Sequence, residues 1–216
     1  MSTVNTIIDV NDARFALEAY YHYVAIQDYE QACDVILTER SNRNYRSLTL
    51  GSSLYQLGLL QKVVDVINPI IPKIQDDNRL IHLYHILGYT YRIIGSLGLA
   101  LQCFDKSIEV FNRVAVKQEY IEMRTWFNIG LCKMELWEVE AAKFYLTKVY
   151  EFSLTNINYH NYTVYSQSCL IYLNSYTDCK TDVLFMADKA INSLTLSTSI
   201  NSWGAGHNAR QSCIFL

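Results

Sequence analysis

The sequence predicts an all-α chain built from about five helix-turn-helix repeats, closed by a capping or truncated C-terminal helix. Three observations carry that prediction. Small or apolar residues recur at Ala32, Val63, Ala100, Ala142 and Val183, with spacings of 31, 37, 42 and 41. The window from Leu83 to Ser107 sets Tyr84, Leu87-Gly88, Tyr91, Ala100, Phe104 and Ser107 at distances that suit two packed helices. Half of the 216 residues are apolar, and only eight are glycine and two proline, a balance that disfavours a loop-rich all-β chain.

The elements follow in order. The first repeat, residues 13–44, is carried by Tyr23, the turn region Gln27-Asp-Tyr-Glu-Gln-Ala32 and Ile36. The second, 45–78, rests on Leu50-Gly51, Leu54, Gly58 and Ile67. Asn68-Pro69-Ile-Ile-Pro72 then predicts that its second helix ends or bends near Ile67, because proline lacks the N–H and clashes with the preceding turn. The third, 81–114, is the sharpest. Gly88 permits close backbone approach, Ala100 is the small residue at the helix crossing, and Tyr91 and Phe104 fill the space between the helices. The fourth, 123–156, shows Trp126, Ile129-Gly130, a turn at Trp137–Glu140, Ala142 and Leu146. The fifth, 164–197, shows Leu170, Ala187 and Ala190, and the tail is 198–216. Loops are expected at 41–46, 75–78, 114–118, 156–161 and 178–181.

This pattern resembles the tetratricopeptide repeat (TPR). Leu87-Gly88, Tyr91, Ala100, Phe104 and Ser107 match its motif closely, and the other four matches are looser. The resemblance implies a single right-handed solenoid over 1–216. A strict TPR repeats every ~34 residues, so the later repeats are lengthened by ~7–8. That irregularity is similar to the TPRs of bacterial signalling and sensor proteins. In such arrays the first helix of each repeat lines the concave face. The implied partner-binding residues are Arg14 and Tyr21; Tyr45, Ser52 and Tyr55; His82, His85, Tyr89 and Arg92; Arg124, Asn128 and Leu131; and Tyr165, Ser168 and Tyr172. The 17 tyrosines suit this role, since a tyrosine gives large contact area and a polar end at low entropic cost. The carboxylate clamp of chaperone-binding TPRs is incomplete. Asn128 is in place, but the preceding helix offers His85 and Tyr89 and the following one Tyr165 and Cys169, which argues against acidic chaperone C-termini. The function implied is a non-catalytic scaffold for a protein or peptide. The alternative is a regulatory sensor module, a fragment of a larger signalling ATPase or of a peptide-responsive regulator.

Composition and motifs agree with a binding role. Net charge is −3, and the densest basic stretch is Arg40, Arg43 and Arg46, so the electrostatic footprint of a nucleic-acid binder is missing. No apolar run approaches 18 residues, which predicts no membrane insertion, and Met1–Val10 does not read as a secretory signal. The six cysteines are scattered without a CxxC pair and read as reduced thiols of a cytoplasmic protein. His82 and His85 share a helix face, yet no further ligand accompanies them, so no metal or cofactor is expected. No P-loop, GxSxG, HExxH or dinucleotide fingerprint occurs, and no enzyme is predicted. Cys213-Ile-Phe-Leu216 matches a prenylation pattern without the polybasic stretch that usually accompanies a single anchor, and is read as part of the final helix.

Overall fold

A computed structural model describes residues 6–41, 47–115 and 119–177. Tyr45, Val183, Ala187, Ala190, the second half of the expected fifth repeat and the tail 198–216 with Cys213 lie outside the described residues. The chain divides into two compact units, Met1–Ile121 and Glu122–Leu216.

Among the described residues, the first unit contains three helical hairpins. They are α1 (Val10–Ala25) with α2 (Tyr29–Leu37), α3 (Leu50–Gln56) with α4 (Leu60–Ile67), and α5 (Asp77–Ile94) with α6 (Leu97–Phe111). Four N-termini carry side-chain caps, from Asp9, Asp28, Thr49 and Asp76, each accepting from backbone N–H groups that the first turn leaves unpaired. At α1 the Asp12 carboxylate also accepts from the Asp9 N–H, completing a reciprocal box.

α4 stops at Ile67, and Ile71–Lys73 form only a 3-10 turn around Pro72. The sequence expectation at Pro69 therefore holds, with the physical cause it named. The 41–46 connection holds a feature the sequence reading did not contain. Glu39–Arg40 (β1) pairs antiparallel with Leu48–Thr49 (β2), and Thr6 bridges to Ser41 in parallel. The Ile7 N–H donates to the Ser41 carbonyl at 2.9 Å, and the Ile7 side chain is fully buried. The Arg40 guanidinium donates to the carbonyls of Val35 and Thr38, both at 2.9 Å, which satisfies acceptors at the α2 C-terminus.

The unit's main core joins Ala13, Ala16, Leu17 and Tyr20 of α1 to Ile36, Leu54, Val63, Ile67, Leu83 and Leu87. The Tyr20 hydroxyl donates to the Val66 carbonyl at 2.6 Å and ties α1 to α4. Gly51 lets α3 lie close to its neighbours, since a Cβ there would stand 3.2 Å from Ile86 and 3.3 Å from Ile36. Arg79 at the start of α5 is paired with Glu30 and Asp34 of α2, with 2.8 Å to Asp34. A smaller cluster of Ile81, Val110, Phe111 and Ile121 packs beside α6.

In the second unit α7 (Glu119–Glu135, whose first turn belongs to the first unit) and α8 (Val139–Ser153) form a hairpin, followed by a 3-10 turn at Ile157–Tyr159 and α9 (His160–Thr177). Its core holds Leu131, Ala142, Leu146, Cys169, Leu170 and Leu173. The α7–α8 crossing repeats the arrangement at α5–α6: Gly130 faces Leu146 as Gly88 faces Phe104.

One regularity unites the four hairpins. Gln27, Gly58, Gly95 and Trp137 all have positive φ, at 61°, 77°, 87° and 60°. Each lies five residues before the buried Ala32, Val63, Ala100 or Ala142. Each N–H donates three residues back, and the next N–H five residues back, as in Gly95 to Arg92 (3.0 Å) and Ser96 to Tyr91 (2.9 Å). This left-handed cap closes the first helix and turns the chain into the second. The lengthening expected of the later repeats lies mainly in the helices. α5 to α9 run 15 to 18 residues, whereas α2, α3 and α4 run nine, seven and eight.

Candidate functional site

The first helices of the first unit, α1, α3 and α5, are successive neighbours, α1 beside α3 and α3 beside α5. The first helices of this unit therefore lie side by side. Tyr55 on α3 and Tyr89 on α5 meet there, with ring centroids 4.9 Å apart and planes tilted by 47°. Arg92, three residues after Tyr89 on the same helix face, places its guanidinium 5.3 Å from the Tyr89 centroid. All three side chains are half-buried.

On α1, Arg14 and Tyr21 are exposed. The Arg14 guanidinium lies 5.8 Å from the Phe15 ring, and Tyr21 packs edge-to-face on Tyr20 at 5.2 Å. Tyr20 itself is buried, and its hydroxyl is pushed up to about 12 by burial first and by Tyr21 second. His82 is half-buried on α5. His85 is not on an open surface: it is 4% exposed and its ring lies 6.0 Å from Phe104, inside the α5–α6 hairpin.

In the second unit the expected residues separate. Arg124 is half-buried on α7. Asn128, which the clamp comparison relied on, is 5% exposed, and its Nδ2 donates to the Arg124 carbonyl at 2.8 Å. Leu131 and Ser168 are also buried. Tyr165 on α9 belongs to an aromatic group with Phe127 and Tyr162. Phe127 meets Tyr162 edge-to-face at 5.5 Å, and Tyr165 lies 6.4 Å from each. Sequence reasoning missed Phe127 and Tyr162, although both are aromatic neighbours in the chain of residues it selected. Tyr172 stands further along α9 and contacts Tyr176 at 5.2 Å.

The structure thus brings Tyr55, Tyr89 and Arg92 together, places Arg14 and Tyr21 on the adjoining first helix, and withdraws His85 and Asn128 into the interior. Half-exposed aromatics with a guanidinium stacked on one of them form a surface suited to non-covalent contact, because tyrosine and arginine bury large area and keep polar ends.

Residues 81–112 match the tetratricopeptide repeat family model. They span α5 and α6 almost completely. No curated protein matches this sequence. Among solved structures, a double mutant named MamA RS-1 ArsTM is similar at a TM-score of 0.53 and 15% identity, covering 87% of this chain and 97% of that one. A putative kinesin light chain of Podosopora anserina, with nearly identical TPR-like repeats, is similar at 0.53 and 12%, covering 93% of this chain and 100% of the other. A second structure from that organism gives 0.51 and 12%, with 85% and 95% covered. At these identities the likeness concerns the fold. Residues 81–112 are thus a tetratricopeptide repeat, and the helical hairpins around them share the fold of the TPR structures the chain is similar to.

Proposed function

We propose that the chain is a non-catalytic interaction module, and that the first-helix face of its first unit receives a peptide segment of a partner protein. The observation that carries this reading is the joining of Tyr55 and Tyr89 across two helices, with Arg92 stacked on Tyr89. Rings held by one another present their area with little further ordering to lose on binding. Arg92, together with His82 on the same helix and Arg14 on α1, offers donors for the carbonyls or carboxylates of a bound segment.

The test is capture from the native cell with quantitative mass spectrometry, comparing the wild-type chain with Tyr55→Ala/Tyr89→Ala/Arg92→Ala. Circular dichroism establishes that the variant retains its helices. The captured partners should be lost from the variant. An unchanged set of partners with an intact fold would refute the assignment of this face.

A further inference from the structure

The four hairpin turns make the same backbone demand, a left-handed residue at the end of the first helix, and meet it with different residues. Two use glycine, which adopts positive φ at no steric cost. A tryptophan there is the costlier choice, because its Cβ crowds the following carbonyl. Trp137 does not belong to the core: it is 53% exposed. It lies instead beside Tyr176, with centroids 5.2 Å apart and planes at 81°, and Tyr176 continues to Tyr172 at a further 5.2 Å. Tyr176 is 59% exposed and Leu136 42%. Three linked aromatic rings therefore stand on the surface of the second unit, one of them at a strained backbone position.

Among the described residues the patch has three carboxylates near it in the chain and two lysines, both engaged. Glu135, Glu138 and Glu140 flank Trp137 and are exposed. Lys133 is drawn to Glu138 at 2.7 Å, and Lys143 donates to the Thr177 hydroxyl at 2.6 Å. α9 contributes no acidic or basic residue other than His160 at its far end. Electron-rich ring faces with carboxylates beside them attract cations, and arginine above all, which stacks on tryptophan and tyrosine while its donors reach a carboxylate.

We propose that Trp137, Tyr176 and Tyr172 form a docking surface for an arginine-bearing, basic segment of a partner protein. It is separate from the tyrosine–arginine face of the first unit, and its failure would leave that reading untouched. The positive φ of Trp137 also makes the test clean. Glycine fits that backbone, so Trp137→Gly removes the ring without disturbing the turn. Tyr176→Ala serves as a second variant, since it removes an exposed ring at the end of α9.

The probes are a capped Gly-Ser peptide carrying three arginines, the same peptide with glutamine at those positions, and the same with glutamate. Binding to the full chain is followed on the Trp137 indole N–H signal by NMR, identified by its loss in Trp137→Gly, and affinities are measured by calorimetry. The arginine peptide should bind at least threefold more tightly than the glutamine peptide. The glutamate peptide should bind most weakly, and the preference should shrink as salt is raised. Trp137→Gly and Tyr176→Ala should each erase the preference while the far-ultraviolet spectrum stays wild-type. Equal affinity for the arginine and glutamine peptides would overturn the proposal, as would a preference that survives both variants. Sedimentation showing that the wild type self-associates and Trp137→Gly does not would also overturn it, because the patch would then be covered by a second copy of the chain.

Discussion

A Cβ added at Gly88 would lie 2.7, 2.9 and 3.0 Å from three ring atoms of Phe104, closer than packed carbons tolerate. Phe104 is fully buried, so its ring has no open side to swing into. The substitution Gly88→Ala therefore sets two effects against each other. Alanine gains about 1 kcal/mol over glycine in a helix interior. Overpacking a closed core costs about 1–3 kcal/mol, and three contacts at or below 3.0 Å with an immobile ring place this case in the upper part of that range. The net expectation is a loss of about 1–2 kcal/mol, or a Tm lower by roughly 2–8 °C, read by circular dichroism on the full chain. Gly130→Ala meets Leu146 at 3.0 and 3.1 Å, and leucine can change rotamer, so its loss should be smaller. Gly98→Ala meets nothing within 4 Å and should be neutral or stabilising. Adding Phe104→Leu to Gly88→Ala should cost less than the two single changes summed, since the smaller side chain leaves room for the methyl group. If Gly88→Ala proved as stable as the wild type, or less harmful than Gly98→Ala, the account of the α5–α6 crossing would fail.

Two further predictions concern the first unit. Tyr20→Phe deletes the hydroxyl that donates to the Val66 carbonyl and should cost about 1 kcal/mol in denaturant unfolding. Because burial pushes the Tyr20 hydroxyl up from 10.0 to about 12, the folded state holds this proton more tightly than the unfolded state. Its contribution is fully present below pH 10 and is lost as pH rises from 10 through 12, so alkaline destabilisation in that window should be shallower in Tyr20→Phe; equal slopes would refute it. Arg79→Leu breaks the pairing of α5 with Glu30 and Asp34. All three side chains are partly exposed, so the cost should be about 1 kcal/mol or less and should shrink in high salt; a cost that is insensitive to salt would assign the effect to packing of the arginine stem.

The hairpins could be read from the sequence because their determinants are local. Ala32, Val63, Ala100 and Ala142 mark the second helix of each pair, and all four are fully buried. Gly51, Gly88 and Gly130 mark the approach of a neighbouring side chain to the first helix. Helical periodicity repeats such positions along the chain, and a close crossing admits only small residues there. Pro69 likewise acts on the turn that precedes it, which is why the end of α4 at Ile67 was legible.

What periodicity does not specify is which neighbour covers a given face. His85 and Asn128 occupy first-helix positions that the repeat pattern assigns to an open face, yet one is packed by Phe104 and the other is folded onto its own helix at the Arg124 carbonyl. Their burial depends on the crossing geometry of each hairpin, which the spacing of apolar residues leaves undetermined. The pairing of β1 with β2 and the bridge from Thr6 to Ser41 depend on segments more than thirty residues apart in the second case, and no alternation of side chains announces them. The meeting of Tyr55 with Tyr89 joins two repeats in the same way. Sequence alone determined that this chain folds as tetratricopeptide-type hairpins and where the first and fourth of them turn, since those features are settled within a few residues. Only the tertiary structure decided which tyrosines meet, and that Trp137 of the fourth turn takes a positive φ and stays exposed, since both depend on contacts beyond the local chain.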